Sequence, residues 1–127
     1  PDEDPAEREL AVALDVLRRD VNRALAIGAF SLEMHYAIYP PGAGYARHRD
    51  RFGDDDARVL SCVAYLNDAW RDDDGGALRL HVAGGPLDVL PRSGTLVAFL
   101  AERIEHEVLP AKRMRLAVSG WFRRREA

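Results

Sequence analysis

The sequence predicts a mainly β fold, a sandwich or jelly roll, with one N-terminal helix. Three features of the 127-residue chain carry that expectation. Apolar residues recur at helical spacing only near the N-terminus. From Leu32 onward the period becomes two, and short apolar runs alternate with turns rich in Gly, Pro and Asp. One helix followed by many short strands matches a packed pair of sheets, not an alternating α/β array. A chain of this length forms one domain, residues 1–127, in which a supporting helix (1–28) covers a β-barrel core (32–123).

The helix is expected to run from Pro1 to Gly28. Asp4 is a good N-cap, Pro5 suits the first helical position and Glu7 completes a capping-box pattern. Leu10, Leu14, Leu17, Val21 and Leu25 make one apolar stripe, with Arg18, Arg19, Asp20 and Arg23 on the solvated side and Gly28 as C-cap. Leu32 to Tyr39 alternates as a half-buried strand, on which His35 reads as a face residue, not a ligand. Arg58 to Leu66 is the next strand: Ser61, Val63 and Tyr65 share one face, and Cys62, Ala64 and Leu66 the other. Short strands follow over Ala77–Val82, Leu87–Leu90, Gly94–Leu100, Ile104–Leu109 and Met114–Arg123. His81 has no partner motif and is not expected to bind metal. In the last strand Leu116, Val118, Gly120 and Phe122 form a small or apolar face. The other face carries Arg115, Ala117, Ser119 and Trp121, an odd content for a barrel interior unless a polar ligand sits there.

The chemistry is concentrated in Tyr45-Ala46-Arg47-His48-Arg49-Asp50, which follows the turn Tyr39-Pro40-Pro41-Gly42-Ala43-Gly44. On an extended segment His48 and Asp50 point to the same side, as two ligands of one ion must. The spacing alone is weak evidence, because 4 His among 21 acidic residues give about 0.7 such pairs by chance. His106 offers a third ligand. Together the three would form a 2-His-1-carboxylate facial triad, which leaves open positions on a non-haem Fe(II) for substrate and O2. Nine residues after His106 stands Arg115. A dicarboxylic acid that chelates iron at one end needs a cation for its far carboxylate, and the planar fork of Arg suits that task.

At these residues the sequence resembles the 2-oxoglutarate and Fe(II)-dependent dioxygenases, in particular the prolyl 4-hydroxylase branch with its oxygen-sensing and bacterial members. The resemblance runs from Met34 to Phe122. It rests on Tyr39-Pro40, Gly44 to Asp50, Tyr65-Leu66-Asn67, Gly75-Gly76-Ala77-Leu78-Arg79, His106-Glu107-Val108 and Arg115. Many collagen-type members have Lys where this chain has Arg115. The resemblance implies a double-stranded β-helix that gathers His48, Asp50 and His106 at one mouth as catalytic metal ligands. It also implies that Arg115 and Tyr65 grip 2-oxoglutarate, with Tyr39, Ser119 and Trp121 lining the cosubstrate site and Val63, Leu78 and Val108 forming an apolar sleeve. Oxidative decarboxylation with O2 would yield succinate and CO2 and hydroxylate a substrate, a prolyl residue of a protein or peptide; ascorbate is compatible with such a system.

Composition limits the other readings. A net charge of −3 gives no electrostatic case for nucleic acid. Cys62 stands alone, consistent with a reducing, cytoplasmic setting, and no apolar run reaches membrane-spanning length. A monomer or weak dimer is expected. No signal peptide is visible, and the start at Pro1 without Met suggests a preceding segment. Two alternatives stay open: a small-molecule or free amino-acid hydroxylase on the same scaffold, and a non-catalytic metal- or dicarboxylate-binding sensor barrel. Specificity is expected in the loops Arg51–Ala57, with its Asp54-Asp55-Asp56 run, and Trp70–Gly75. An accepted prolyl side chain would enter between Tyr39 and Trp121.

Overall fold

The computed structural model describes residues 4–50 and 57–125. The Asp54-Asp55-Asp56 run and the first six residues of the loop beginning at Arg51 lie outside them, as do residues 1–3. One helix, α1 (Pro5–Leu25), precedes eight strands: β1 (Ala29–Tyr39), β2 (Tyr45–His48), β3 (Arg58–Tyr65), β4 (Leu78–Val82), β5 (Gly85–Val89), β6 (Leu96–Leu100), β7 (Glu105–Val108) and β8 (Arg115–Arg124). They form two four-stranded sheets, ordered β1-β8-β3-β6 and β2-β7-β4-β5. All named strand pairs are antiparallel. Apart from the β4–β5 hairpin, neighbouring strands are not consecutive in the chain, the connectivity of a jelly roll, as the sequence led one to expect.

The helix starts where its cap chemistry says it should. The Asp4 carboxylate accepts from Ala6 N at 2.8 Å and Pro5 occupies the first turn. Glu7 does not close a capping box; it accepts from the Tyr36 hydroxyl at 3.1 Å and so ties α1 to β1. The C-terminus also departs from expectation. Ala26, not Gly28, takes the left-handed cap conformation (φ 52°) and its N–H bonds to the Asn22 carbonyl. The Asn22 side chain then bonds both the N–H and the carbonyl of Ala29, each at 2.8 Å. That double contact turns the chain into β1 three residues earlier than the period-two pattern indicated. Leu25 is left exposed, and Ile27 takes its place beside Leu10, Leu14, Leu17 and Val21. These side chains cover the outer face of the first sheet, packing on Leu32, Leu60, Cys62 and Phe122. No described helix is long and apolar enough to cross a membrane.

A second cluster fills the space between the sheets: Tyr65, Leu78, Leu80, Phe99 and Ala117. Asn67 fastens the strand ends at one edge. Its amide donates to the carbonyls of Pro91 (2.8 Å) and Leu116 (2.9 Å) and its oxygen accepts from Leu116 N (2.8 Å). Each contact satisfies a backbone group that burial would otherwise leave unpaired. The acidic loop after Trp70 contains a short 3-10 turn, Asp72–Asp74, and the Trp70 indole donates to Gly75 O at 2.9 Å.

Cys62 is a buried thiol whose surroundings push its pKa from 9.0 up to about 11. In the unfolded chain the thiol ionises first as pH rises. Its contribution to stability is therefore full below pH 9.0 and is lost on the way to about 11. Two results are expected: slow alkylation of the native protein near neutral pH, and a smaller alkaline loss of denaturant midpoint in Cys62→Ala than in wild type. A thiol that alkylates as fast as free cysteine would contradict the burial.

Candidate active site

His48 and His106 are direct partners across the β2–β7 pair, and Asp50 follows His48 by two residues. The pairing is irregular between Tyr45 and His48, so β2 bulges just before its ligand. His48 Nε2 lies 3.2 Å and His106 Nε2 3.3 Å from the same oxygen, Asp50 Oδ1. One ligand atom from each of the three residues lies within 4.8 Å of the other two. The structure thus brings together the three residues singled out in the sequence.

Both rings are oriented by the same local device. Nδ1 of His48 meets the Ala46 carbonyl at 2.8 Å and Nδ1 of His106 the Ile104 carbonyl at 3.2 Å, each two residues back along the strand. A carbonyl can only accept, so Nδ1 donates there and Nε2 is the ring atom turned towards Asp50. Tilted ring contacts help hold the orientation: Tyr45 lies 4.3 Å from His48, the two imidazoles are 4.2 Å apart, and Phe99 lies 4.7 Å from His106, centroid to centroid. Asp50 is buried, and Ser61 Oγ donates to its Oδ2 at 2.6 Å, leaving Oδ1 for the histidines. Burial alone would raise the Asp50 pKa. Hydrogen bonding to His106 and Ser61 outweighs it and holds the carboxyl well below the usual carboxylate range. Two imidazole nitrogens and a carboxylate oxygen converge on one point, an arrangement that needs a positive centre between them, a proton or a metal ion. Neutral imidazoles and carboxylate are the donor set of a non-haem Fe(II) centre, so the residues fit such an ion.

The triad opens on a cavity of about 310 Å³. Val63, Leu78 and Val108 supply apolar wall, and Tyr39, Tyr65, Arg115, Ser119 and Trp121 line it as well. Arg115 is 3% exposed, and among the described residues no carboxylate pairs with it. Its Nε donates to Gly76 O at 2.8 Å and its Nη2 to the Tyr65 hydroxyl at 3.3 Å. The guanidinium carbon lies 5.0 Å and 5.5 Å from the ring centroids of Tyr65 and Tyr39. Burial pushes both phenols up by more than Arg115 lowers them, so the hydroxyls stay protonated. A buried guanidinium facing two phenols, with no counter-anion, is costly unless an anion joins it. That makes this end fit for a carboxylate.

Gly76 explains part of the Gly75-Gly76 pair. At φ +74° an added Cβ would meet Ala111 Cβ at 2.9 Å and Trp70 Cζ2 at 3.0 Å, and Arg115 Cδ at 3.4 Å. Only glycine lets this backbone come close enough to hold Arg115. Trp121 stands apart from that end. It is the cross-strand partner of Ser61, six residues along β8 from Arg115, or roughly 20 Å of strand. Sequence reasoning had not given Ser61 a role; its place on the inward face of β3, with Val63 and Tyr65, was the available signal. His35 is no ligand here, yet it lines the cavity, its ring 5.1 Å from Trp121.

Comparison with known proteins agrees with this arrangement. A prolyl-4-hydroxylase of Pseudomonas putida superposes with a TM-score of 0.92 at 50% identity, over 98% of this chain and 70% of that one. A prolyl hydroxylase of Trichoplax adhaerens, solved with a hypoxia inducible factor oxygen degradation domain peptide fragment, gives 0.84 at 31% identity, over 93% and 56%. The hypoxia-inducible factor prolyl hydroxylase of Caenorhabditis elegans is 38% identical over 91 residues, which are 68% of this chain and 12% of that protein. This chain therefore spans a small part of that relative's length. The model of the 2OG-Fe(II) oxygenase superfamily matches residues 34–123, a span holding every triad residue and Arg115, and the chain belongs to that family.

Proposed function

We propose that the chain is the catalytic domain of an Fe(II)- and 2-oxoglutarate-dependent dioxygenase that hydroxylates a prolyl residue of a polypeptide. Family membership implies Fe(II) and 2-oxoglutarate. The single observation that carries the reading is one cavity lined both by the His48, Asp50 and His106 donors and by the buried Arg115, which pairs with no carboxylate among the described residues. Bound Fe(II) supplies the redox chemistry that couples O2 and 2-oxoglutarate to hydroxylation. One oxygen atom goes to the substrate C–H bond and one to succinate, with release of CO2.

The chain's own residues do the rest. His48, Asp50 and His106 hold the ion from one side and leave its other positions to small molecules. Arg115 and Tyr65 take the far carboxylate of 2-oxoglutarate; Tyr65 accepts from Arg115 and keeps its own hydroxyl proton to donate. Tyr39 and Ser119 line the same bed, and the Val63, Leu78 and Val108 sleeve keeps water from it. The prolyl substrate rests on similarity to the P. putida and T. adhaerens prolyl hydroxylases. A monomeric or weakly dimeric cytoplasmic protein without nucleic-acid partners is part of the same reading, supported by the lone Cys62 and the net charge of −3.

The test screens prolyl peptides and free amino acids, with and without ascorbate, for succinate release matched to the gain of one oxygen atom. Peptide hydroxylation at proline is expected. Coupled turnover of free amino acids alone would replace the substrate, and 2-oxoglutarate binding without succinate would reduce the domain to a sensor.

A further inference from the structure

Ser61 and Trp121 face one another across the β3–β8 pair, beside Asp50. Ser61 already donates to the outer carboxylate oxygen, Oδ2, at 2.6 Å. Trp121 has the opposite condition: its indole N–H is sealed from solvent and makes no hydrogen bond, the one such side-chain nitrogen or oxygen among the described residues. The ring is not free to turn towards another acceptor. Arg58 lies over it at 4.2 Å and His35 packs against it at 5.1 Å. Arg58 is itself fixed, donating to Glu33 at 2.8 Å and to the Asp50 backbone carbonyl at 3.4 Å. The acceptor this N–H can serve is the Asp50 carboxyl, which lines the same cavity as Trp121 and already takes the hydroxyl of its cross-strand partner Ser61. A buried donor kept without a partner is costly, and a fixed ring that keeps one beside a carboxylate has a use for it.

We propose that Trp121 is a positioning residue for Asp50, its indole N–H serving with the Ser61 hydroxyl as a second donor to the carboxylate when Oδ1 holds the metal. The inference rests on the reading of His48, Asp50 and His106 as the metal site. Two outer donors satisfy the lone pairs that the metal does not use. They keep the carboxylate bound through one oxygen, so that the neighbouring coordination position stays free for a small molecule. Trp121 thus acts at the triad end of β8, away from the Arg115 end.

Manganese, which is stable in air, serves as the probe. Free Mn(II) is followed by electron paramagnetic resonance as it is titrated into metal-free wild type and Trp121→Phe, and both metal-free proteins are melted. The substitution keeps an aromatic ring and removes the N–H donor together with part of the indole's volume. Binding is expected to weaken about tenfold, while the metal-free melting temperature changes little, the loss of the orphaned donor offsetting the lost ring contact. Equal Mn(II) affinity overturns the inference, and so does a parallel loss of affinity and metal-free stability, which would make Trp121 a packing residue. Failure of wild type to bind Mn(II) would instead remove the metal-site reading itself.

A measurement on the wild-type chain covers the case in which Trp121→Phe does not fold. The chain has two tryptophans, and the Trp70 N–H is already bonded to Gly75 O. In ¹⁵N-indole spectra, diamagnetic Zn(II) should move the Trp121 proton downfield and slow its exchange while the Trp70 signal stays put. An unmoved Trp121 signal overturns the proposal.

Discussion

His48→Ala is expected to fold and to lose Fe(II) binding by at least about 100-fold. Outer partners of metal ligands commonly cost 10- to 100-fold when removed, and a ligand itself must cost at least as much. Two donors from His106 and Asp50 would remain, too few to hold a labile divalent ion against water. His48 is the cleaner site for this test. It sits partly exposed on an edge strand, whereas His106 is buried against Phe99 and its loss would also open a cavity. Anaerobic titration with Fe(II), alongside circular dichroism to verify the fold, reads the result. Unchanged iron affinity in a folded His48→Ala would remove the triad from the account.

Arg115→Ala should raise the 2-oxoglutarate concentration needed for half-maximal turnover by about tenfold to 100-fold. A hydrogen bond to a charged partner contributes about 1.5–3 kcal/mol, and each 1.4 kcal/mol is a factor of ten. Tyr65→Phe should cost only a few-fold, having lost one neutral donor. The graded order matters, because a general loosening of the core would affect both variants alike. Arg115 also donates to Gly76 O, so its removal leaves that carbonyl short of a partner and some loss of stability is expected. Should Arg115→Ala unfold the domain while the folded fraction binds 2-oxoglutarate normally, the residue would be a structural tie between β8 and the Gly75-Gly76 turn.

Much of the site could be read from sequence because its parts are local or strictly periodic. His48 and Asp50 share a face through the strand period, and the alternation of β8 placed Arg115 inward without reference to any other residue. What escaped were contacts between different elements, which no single element's period announces. Nothing near Ser61 announces that its hydroxyl reaches Asp50, eleven residues earlier, and nothing in Asn22 announces its bond to Ala29. The second omission displaced the end of α1, because Leu25 fits the apolar stripe perfectly well until the chain turns and Ile27 reaches the core first. Gly28 looked like the natural cap, but the Asn22 contacts place the left-handed residue at Ala26, where φ is 52°.

The pairing of His48 with His106 has a consequence for the sheet as well as for the ion. β2 has four residues, lies at the edge of its sheet and keeps only the Tyr45–Val108 and His48–His106 pairings, with an irregularity between them. So short a strand has little hold of its own, and chelation across His48 and His106 would staple it to β7. Loss of the ion would then unfasten an edge: backbone amides of β2 and β7 would exchange faster with solvent, and unpaired N–H and C=O groups would become available to another chain. On these terms, demetallation would endanger the solubility of the domain together with its chemistry, and apo preparations would be the ones to aggregate.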